Sequence, residues 1–169
     1  MFYSISARRT RADESYPPRS LPLSPSLSAY PVPVPSPHHS ALCGQHCLNN
    51  LCQGPVFTLG TITDVVGELH RKLDAVMGGA YAGESPYVDY AGNYSIDVLS
   101  ACLKGRYPGA LLRTLNHPAL RDVARNPTMC EAYVLNKDNH WFAIRRLYGK
   151  YWRLDSMKPA PEFIGEMYV

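Results

Sequence analysis

Ser40 to Gln53 reads S-A-L-C-G-Q-H-C-L-N-N-L-C-Q. Apolar positions fall at Cys43, Cys47, Leu48 and Leu51, the spacing of one helix face. Ser40 is the expected N-cap, because its hydroxyl can accept from an unpaired first-turn N–H. Gly54-Pro55 is the expected stop: glycine tolerates the left-handed cap and proline cannot continue a helix. Cys43 then lies in the first turn. There the helix dipole and the free backbone N–H groups favour an anion, so the expectation is a thiolate.

The remaining chain bounds what such a cysteine can serve. At 169 residues it is long enough for one domain with its own core. A formal charge of +3 gives no footing for strong nucleic-acid binding. No apolar run reaches the roughly 18 residues of a membrane span, and no apolar segment follows the N-terminus as a secretory signal would. There are five cysteines, and three crowd one short helix where they cannot all pair. Reduced thiols and an intracellular setting follow.

Residues 1–37 differ from the rest. Arg8, Arg9 and Arg11 precede a Pro/Ser tract in which Pro31, Pro33, Pro35 and Pro37 alternate. Such alternation opposes helix and sheet ladder alike, so a disordered arm is expected. A ligand for a proline-reading domain, or a transit peptide, are the functional alternatives to an inert tail. After the Cys43 helix, Ile62, Val65, Val66, Leu69, Leu73 and Val76 form an amphipathic stripe from Ile62 to Met77, with Thr61 as cap. Gly78 to Gly92 reads as a loop whose tyrosines (Tyr81, Tyr87, Tyr90, Tyr94) either touch a partner or lie loosely over the core. Ser95 opens a third helix with Ile96, Leu99, Cys102 and Leu103 inward. Ala110–Leu115 reads as a buried strand, and Pro118–Arg125 as a short helix capped by Asn116. Strands follow over Met129–Leu135, His140–Leu147 and Tyr151–Asp155, the last two joined by a tight hairpin at Tyr148-Gly149-Lys150. Helices first and an antiparallel sheet after them argue for an α+β fold.

A thiol protease needs a thiolate, a base that takes and returns its proton, and a group that orients the base. His140 starts one strand of the hairpin and Asp155 ends its neighbour, so both lie at one end. With Tyr148-Gly149-Lys150 as the turn, Asp155 pairs with Ala143, about 10 Å along the strand from His140, and twist or a bulge must close that gap. From the residues alone, alternatives stay open. A lone cysteine such as Cys43 is more often a small buried hydrophobe than a nucleophile, and Asp155-Ser156 also reads as the start of a turn. Cys43, His46, Cys47 and Cys52 offer zinc ligands, although all four lie on one helix, whereas structural zinc sites draw paired ligands from two elements.

Four segments taken together resemble the Josephin family, the ataxin-3 and Josephin group of papain-like deubiquitinating cysteine proteases. They are L-C-G-Q-H-C-L-N-N-L-C-Q-G, N-Y-S-I-D-V-L-S-A-C-L, N-H-W-F-A-I-R-R-L and Y-W-R-L-D-S, in the family's order between His38 and about Tyr168. The resemblance implies a papain-like α+β domain over residues 38–169, with N-terminal helices packed on an antiparallel sheet. It implies Cys43 as nucleophile, His140 as general base and acid, and Asp155 as the residue that orients His140, a position held by Asn or Asp in the family. His46, Asn49 and Asn50 match positions that look structural, and Trp141 is a candidate cleft wall. Ubiquitin and ubiquitinated proteins are the implied partners, isopeptide hydrolysis the implied reaction, and nucleus or cytoplasm the implied location. No cofactor or metal is required, neither nucleic acid nor membrane is an expected partner, and a monomer is expected.

Three departures shape the expectations. His38 stands where the family places a glutamine that donates into the oxyanion hole. The Gly78–Gly92 loop is shorter and richer in glycine than the helical arm of ataxin-3-like members. The chain ends at Val169, where the family continues with a helix and a further strand, so the domain is expected to be incomplete at its C-terminus. A catalytically impaired ubiquitin-binding module of the same fold is the alternative.

Overall fold

A computed structural model of the chain describes residues 2–7, 42–108, 110–114, 117–118 and 121–166. The elements in chain order are β1 (Phe2–Ala7), α1 (Cys43–Cys52), α2 (Leu59–Met77), α3 (Ile96–Arg106), β2 (Ala110–Thr114), α4 (Arg121–Arg125), β3 (Ala132–Lys137), β4 (His140–Leu147), β5 (Lys150–Leu154) and β6 (Glu162–Glu166). The strands form one antiparallel sheet in the order β2-β1-β3-β4-β5-β6. The α+β expectation holds.

Two strands were not expected. The arm over 1–37 is corrected at its start, where β1 sits between β2 and β3. Its sequence, F-Y-S-I-S-A, alternates Tyr3 and Ile5 with serines, a strand pattern that the Pro/Ser composition downstream outweighs. Residues 8–41, with the proline alternation, Ser40 and His38, lie outside the described residues, as does Asn116. At the other end, β6 pairs with β5 across a bulge at Tyr151/Trp152.

The helix ends differ in detail from the sequence reading. Leu42 holds the N-cap position of α1 and makes no side-chain cap bond. Gln53, not Gly54, takes the left-handed position (φ 53°), and its side-chain amide donates to the Asn50 carbonyl at 2.7 Å. Thr58 caps α2. Its hydroxyl accepts from the Thr61 N–H, and Thr61 returns the bond to the Thr58 N–H, a reciprocal pair that starts the helix three residues early. Ser95 is the N-cap of α3, as expected.

The sheet has two apolar faces. Ala132, Val134, Trp141, Ala143 and Leu154 pack with Cys43, Cys47, Leu48 and Leu51 of α1 and with Val98, Leu99, Cys102 and Leu103 of α3. Tyr133, Leu135, Phe142 and Tyr151 form a second cluster with Cys130, closed by the Tyr151 hydroxyl donating to the Cys130 carbonyl at 2.6 Å. This is the period-two alternation of β3 and β4 with both faces covered. β2, expected to be a buried strand, stands at the sheet edge.

The segment after α2 is more ordered than a loose loop. The Asp89 carboxylate accepts from the backbone N–H groups of Ala91 and Asn93 and from the Asn93 side chain. Tyr94 is buried in the core and Tyr87 packs edge-on against His70, whereas Tyr81 and Tyr90 are exposed.

Both β3–β4 and β4–β5 are joined by two-residue turns with positive φ throughout: Asp138 and Asn139 (53° and 59°), Tyr148 and Gly149 (53° and 77°). Right-handed strand twist favours this turn type. Asp and Asn tolerate the left-handed region, but tyrosine does not. Exposed Tyr148 therefore carries local strain, and Tyr148→Asn should raise stability by about 0.5–1 kcal/mol. Urea unfolding midpoints compare the two. A midpoint unchanged or lowered would mean that the tyrosine ring contributes more than its backbone costs.

Candidate active site

The second turn sets the register of the candidate site. Leu147 pairs with Lys150 and Ala143 with Leu154. One step further, Asp155 faces Phe142, not Ala143, because Lys150 belongs to the strand rather than to the turn. Residues 140 and 142 share a strand face, so the step to His140 is a diagonal within reach of side chains. The gap is closed: His140 Nε2 lies 2.7 Å from Asp155 Oδ1. Oδ1 also accepts from the Met157 N–H at 2.9 Å, and Oδ2 accepts from Arg153 Nη2 at 2.7 Å. The Asp155 side chain is 2% exposed, whereas His140 keeps 19%. A carboxylate behind an accessible imidazole is the arrangement an orienting group requires.

Cys43 meets the same strand one residue on. In a two-residue hairpin, Lys137 and His140 exchange backbone bonds, so the Trp141 N–H points away from β3. That N–H is aimed at the Cys43 sulfur, as are the N–H groups of Gly44 and of Cys43 itself. The expected donors at the start of α1 are thus in place. Their effect is outweighed, however. Burial pushes the Cys43 thiol above the ordinary cysteine range, the three N–H groups pull it back only in part, and the Asp155 carboxylate adds to the rise. The expectation of a resting thiolate is corrected: Cys43 rests as a thiol, because it is buried and a desolvated anion is costly.

With Nε2 engaged by Asp155, Nδ1 is the ring nitrogen left to exchange a proton. The Trp141 indole donates to the Tyr94 carbonyl at 2.8 Å, tying β4 to the segment that leads into α3. Gln45 is not free to serve the site, since its amide donates to the Phe57 carbonyl. Asn49 holds Phe57 from both sides, with Nδ2 donating to its carbonyl and Oδ1 accepting its N–H, as the structural reading of that position implied. Among the described residues, no three His, Cys, Asp or Glu side chains converge as metal ligands. Cys43, His46, Cys47 and Cys52 of the zinc alternative are strung along α1.

Arg153 is the residue the sequence reading missed. It stands two positions before Asp155, on the same strand face, and that spacing was the available signal. Burial pushes the Asp155 carboxyl up, yet the bonds from Met157, His140 and Arg153 prevail and hold it below the usual carboxylate range. A carboxyl with a depressed folded-state value contributes stability above about pH 4, where the unfolded chain's aspartate is ionised. That contribution is lost as pH falls through the folded-state value. Thermal melting from pH 6 to pH 3 should show an acid-side loss that is smaller in Asp155→Asn. Equal slopes would remove Asp155 from the account.

The Josephin family model matches residues 38–169. The chain belongs to the Josephin family. Among curated relatives of this Josephin chain are an ataxin-3 homolog of Caenorhabditis briggsae, 30% identical over 132 residues (77% of this chain, 41% of that protein), and an ataxin-3 homolog of Arabidopsis thaliana, 30% identical over 141 residues (77% and 50%). Human ataxin-3 is 30% identical over 139 residues (76% and 38%). The Josephin chain thus spans half or less of the length of these relatives. Family membership supports a function of the deubiquitinase family, and the helices on an antiparallel sheet agree with the papain-like fold.

Proposed function

We propose that this chain is a cysteine deubiquitinase that hydrolyses the isopeptide bond between the ubiquitin C-terminus and a lysine. The observation that carries the reading is the 2.7 Å bond between His140 and Asp155, set one residue from the N–H that meets the Cys43 sulfur. His140 Nδ1 takes the Cys43 proton as the sulfur adds to the carbonyl carbon. Because the resting sulfur is a thiol, proton transfer accompanies that addition rather than preceding it. The tetrahedral oxyanion is held by main-chain N–H groups at the start of α1; in the family alignment of motifs, His38 takes the sequence position of the glutamine that donates there. His140 then protonates the leaving lysine amine and activates the water that frees the acyl-enzyme. Asp155 keeps the imidazole in the tautomer with its proton on Nε2.

Burial of Cys43 favours a second reading, a ubiquitin-binding module without turnover. A ubiquitin probe with a C-terminal electrophile separates the two. The enzyme forms a covalent adduct on Cys43 and cleaves a ubiquitin-linked fluorogenic amide. Reversible binding without adduct or cleavage would establish the module instead.

A further inference from the structure

Asp155 is held by more than the histidine it faces. Arg153 Nη2 reaches Oδ2 at 2.7 Å while Oδ1 is shared by His140 and Met157. Arg153 Nη1 lies 3.7 Å from Glu162 on β6, and Glu162 in turn pairs with Lys158 at 3.0 Å. The guanidinium sits 4.3 Å over the Phe142 ring, and that ring is stacked with His140. The Arg153 Nε is buried and has no hydrogen-bond partner among the described residues. An arginine held with an unsatisfied donor is a poor device for stability alone, because a partly buried ion pair seldom outperforms an apolar replacement.

We propose that Arg153 is a positioning residue for the Cys43–His140 pair: it fixes and partly neutralises the Asp155 carboxylate, and thereby makes an aspartate, not an asparagine, necessary at 155. The proposal rests on the deubiquitinase reading above. Donor and acceptor counts set this requirement. A carboxylate has two acceptor oxygens, one for His140 with Met157 and one for Arg153. An asparagine has one carbonyl oxygen and an NH₂ group. If its oxygen serves His140, its NH₂ faces the Arg153 NH₂, donor against donor. If it turns to serve Arg153, the imidazole loses its orienting acceptor.

The charge matters as well. Asp155 opposes formation of a thiolate at Cys43, and it acts on Cys47 in the same sense. Arg153 offsets that negative field. The other charged groups around the pair are Lys137, paired with His140 across β3, and Glu162 with Lys158 beyond Arg153. Those two form their own ion pair, and Lys137 is exposed, so Arg153 is the closest cation on the carboxylate.

The test uses the full chain and a ubiquitin-linked fluorogenic amide. In Arg153→Met, kcat should fall about tenfold with KM unchanged, and both limbs of the kcat/KM profile should move to higher pH by about half a unit or more, since a less compensated carboxylate holds protons on the pair more tightly. Arg153→Lys should restore the limbs. Asp155→Asn should lose about 100-fold in kcat, and adding Arg153→Met to it should recover several-fold by removing the donor clash. Limbs that stay in place, or a double variant no better than Asp155→Asn, would overturn the proposal. If circular dichroism shows Arg153→Met to be unfolded, the same profile on Arg153→Gln decides. A wild-type chain inert toward substrate and probe would defeat the deubiquitinase reading instead. Arg153 is then judged by Cys43 alkylation, whose midpoint should move to higher pH in Arg153→Met and would not move if the arginine were only structural.

Discussion

Cys43→Ala is expected to abolish cleavage of a ubiquitin-linked amide, by about 10⁴-fold or more, and to remove the covalent adduct with an electrophilic ubiquitin. Losing the nucleophile of a catalytic triad removes nearly all turnover, because the remaining members act only through it. Reversible affinity for ubiquitin should survive. The substitution deletes one buried sulfur, and the small cavity it leaves should lower stability by about 1 kcal/mol, too little to unfold the chain. Calorimetric titration with ubiquitin and intact-protein mass spectrometry read the two halves of this expectation. An adduct that persists in Cys43→Ala would transfer the chemistry to another thiol. Cys52 is the first candidate, since Cys43, Cys47, Cys102 and Cys130 are all buried.

The second large effect is on the fold. Trp141→Ala should destabilise the chain by about 3–5 kcal/mol, a large share of the roughly 5–15 kcal/mol that holds a typical domain. Trp141 is buried between β4 and the helices, and its indole N–H is bonded to the Tyr94 carbonyl. Truncation opens a cavity and also leaves that carbonyl unpaired. Trp141→Phe separates the terms, because most of the ring volume stays while the bond is lost, so a cost of about 1–3 kcal/mol is expected. Guanidinium unfolding measures both. An alanine variant within 1 kcal/mol of wild type would show that the seam between helices and sheet is held elsewhere.

Much of this was legible before any coordinates. The three long helices announced themselves by their stripes, and the hairpin at Tyr148-Gly149-Lys150 by its turn chemistry. Three things were not. β1 and β6 are five or six residues long and flanked by proline or polar sequence, and a short strand is recognised by the neighbours it pairs with rather than by its own pattern. The direction of the Cys43 shift depends on burial, which no local spacing reports. The register of the candidate site depended on whether Lys150 belongs to turn or strand, a difference of one residue that moves Asp155 to the opposite strand face. Arg153 was in plain view at two residues from Asp155. Only the coordinates show that the guanidinium turns toward the carboxylate while packing on Phe142.

The placement of β1 bears on how the chain is made. β1 comes first of the six strands in chain order, yet it belongs between residues 110–114 and 132–137. It must therefore wait for partners that begin only at residue 110. Pairings between distant parts of a chain form slowly, and unpaired strands are prone to wrong partners while they wait. Affinity tags joined directly to Met1 would sit beside this closing strand, so a fusion at the other terminus is the safer choice for producing the protein.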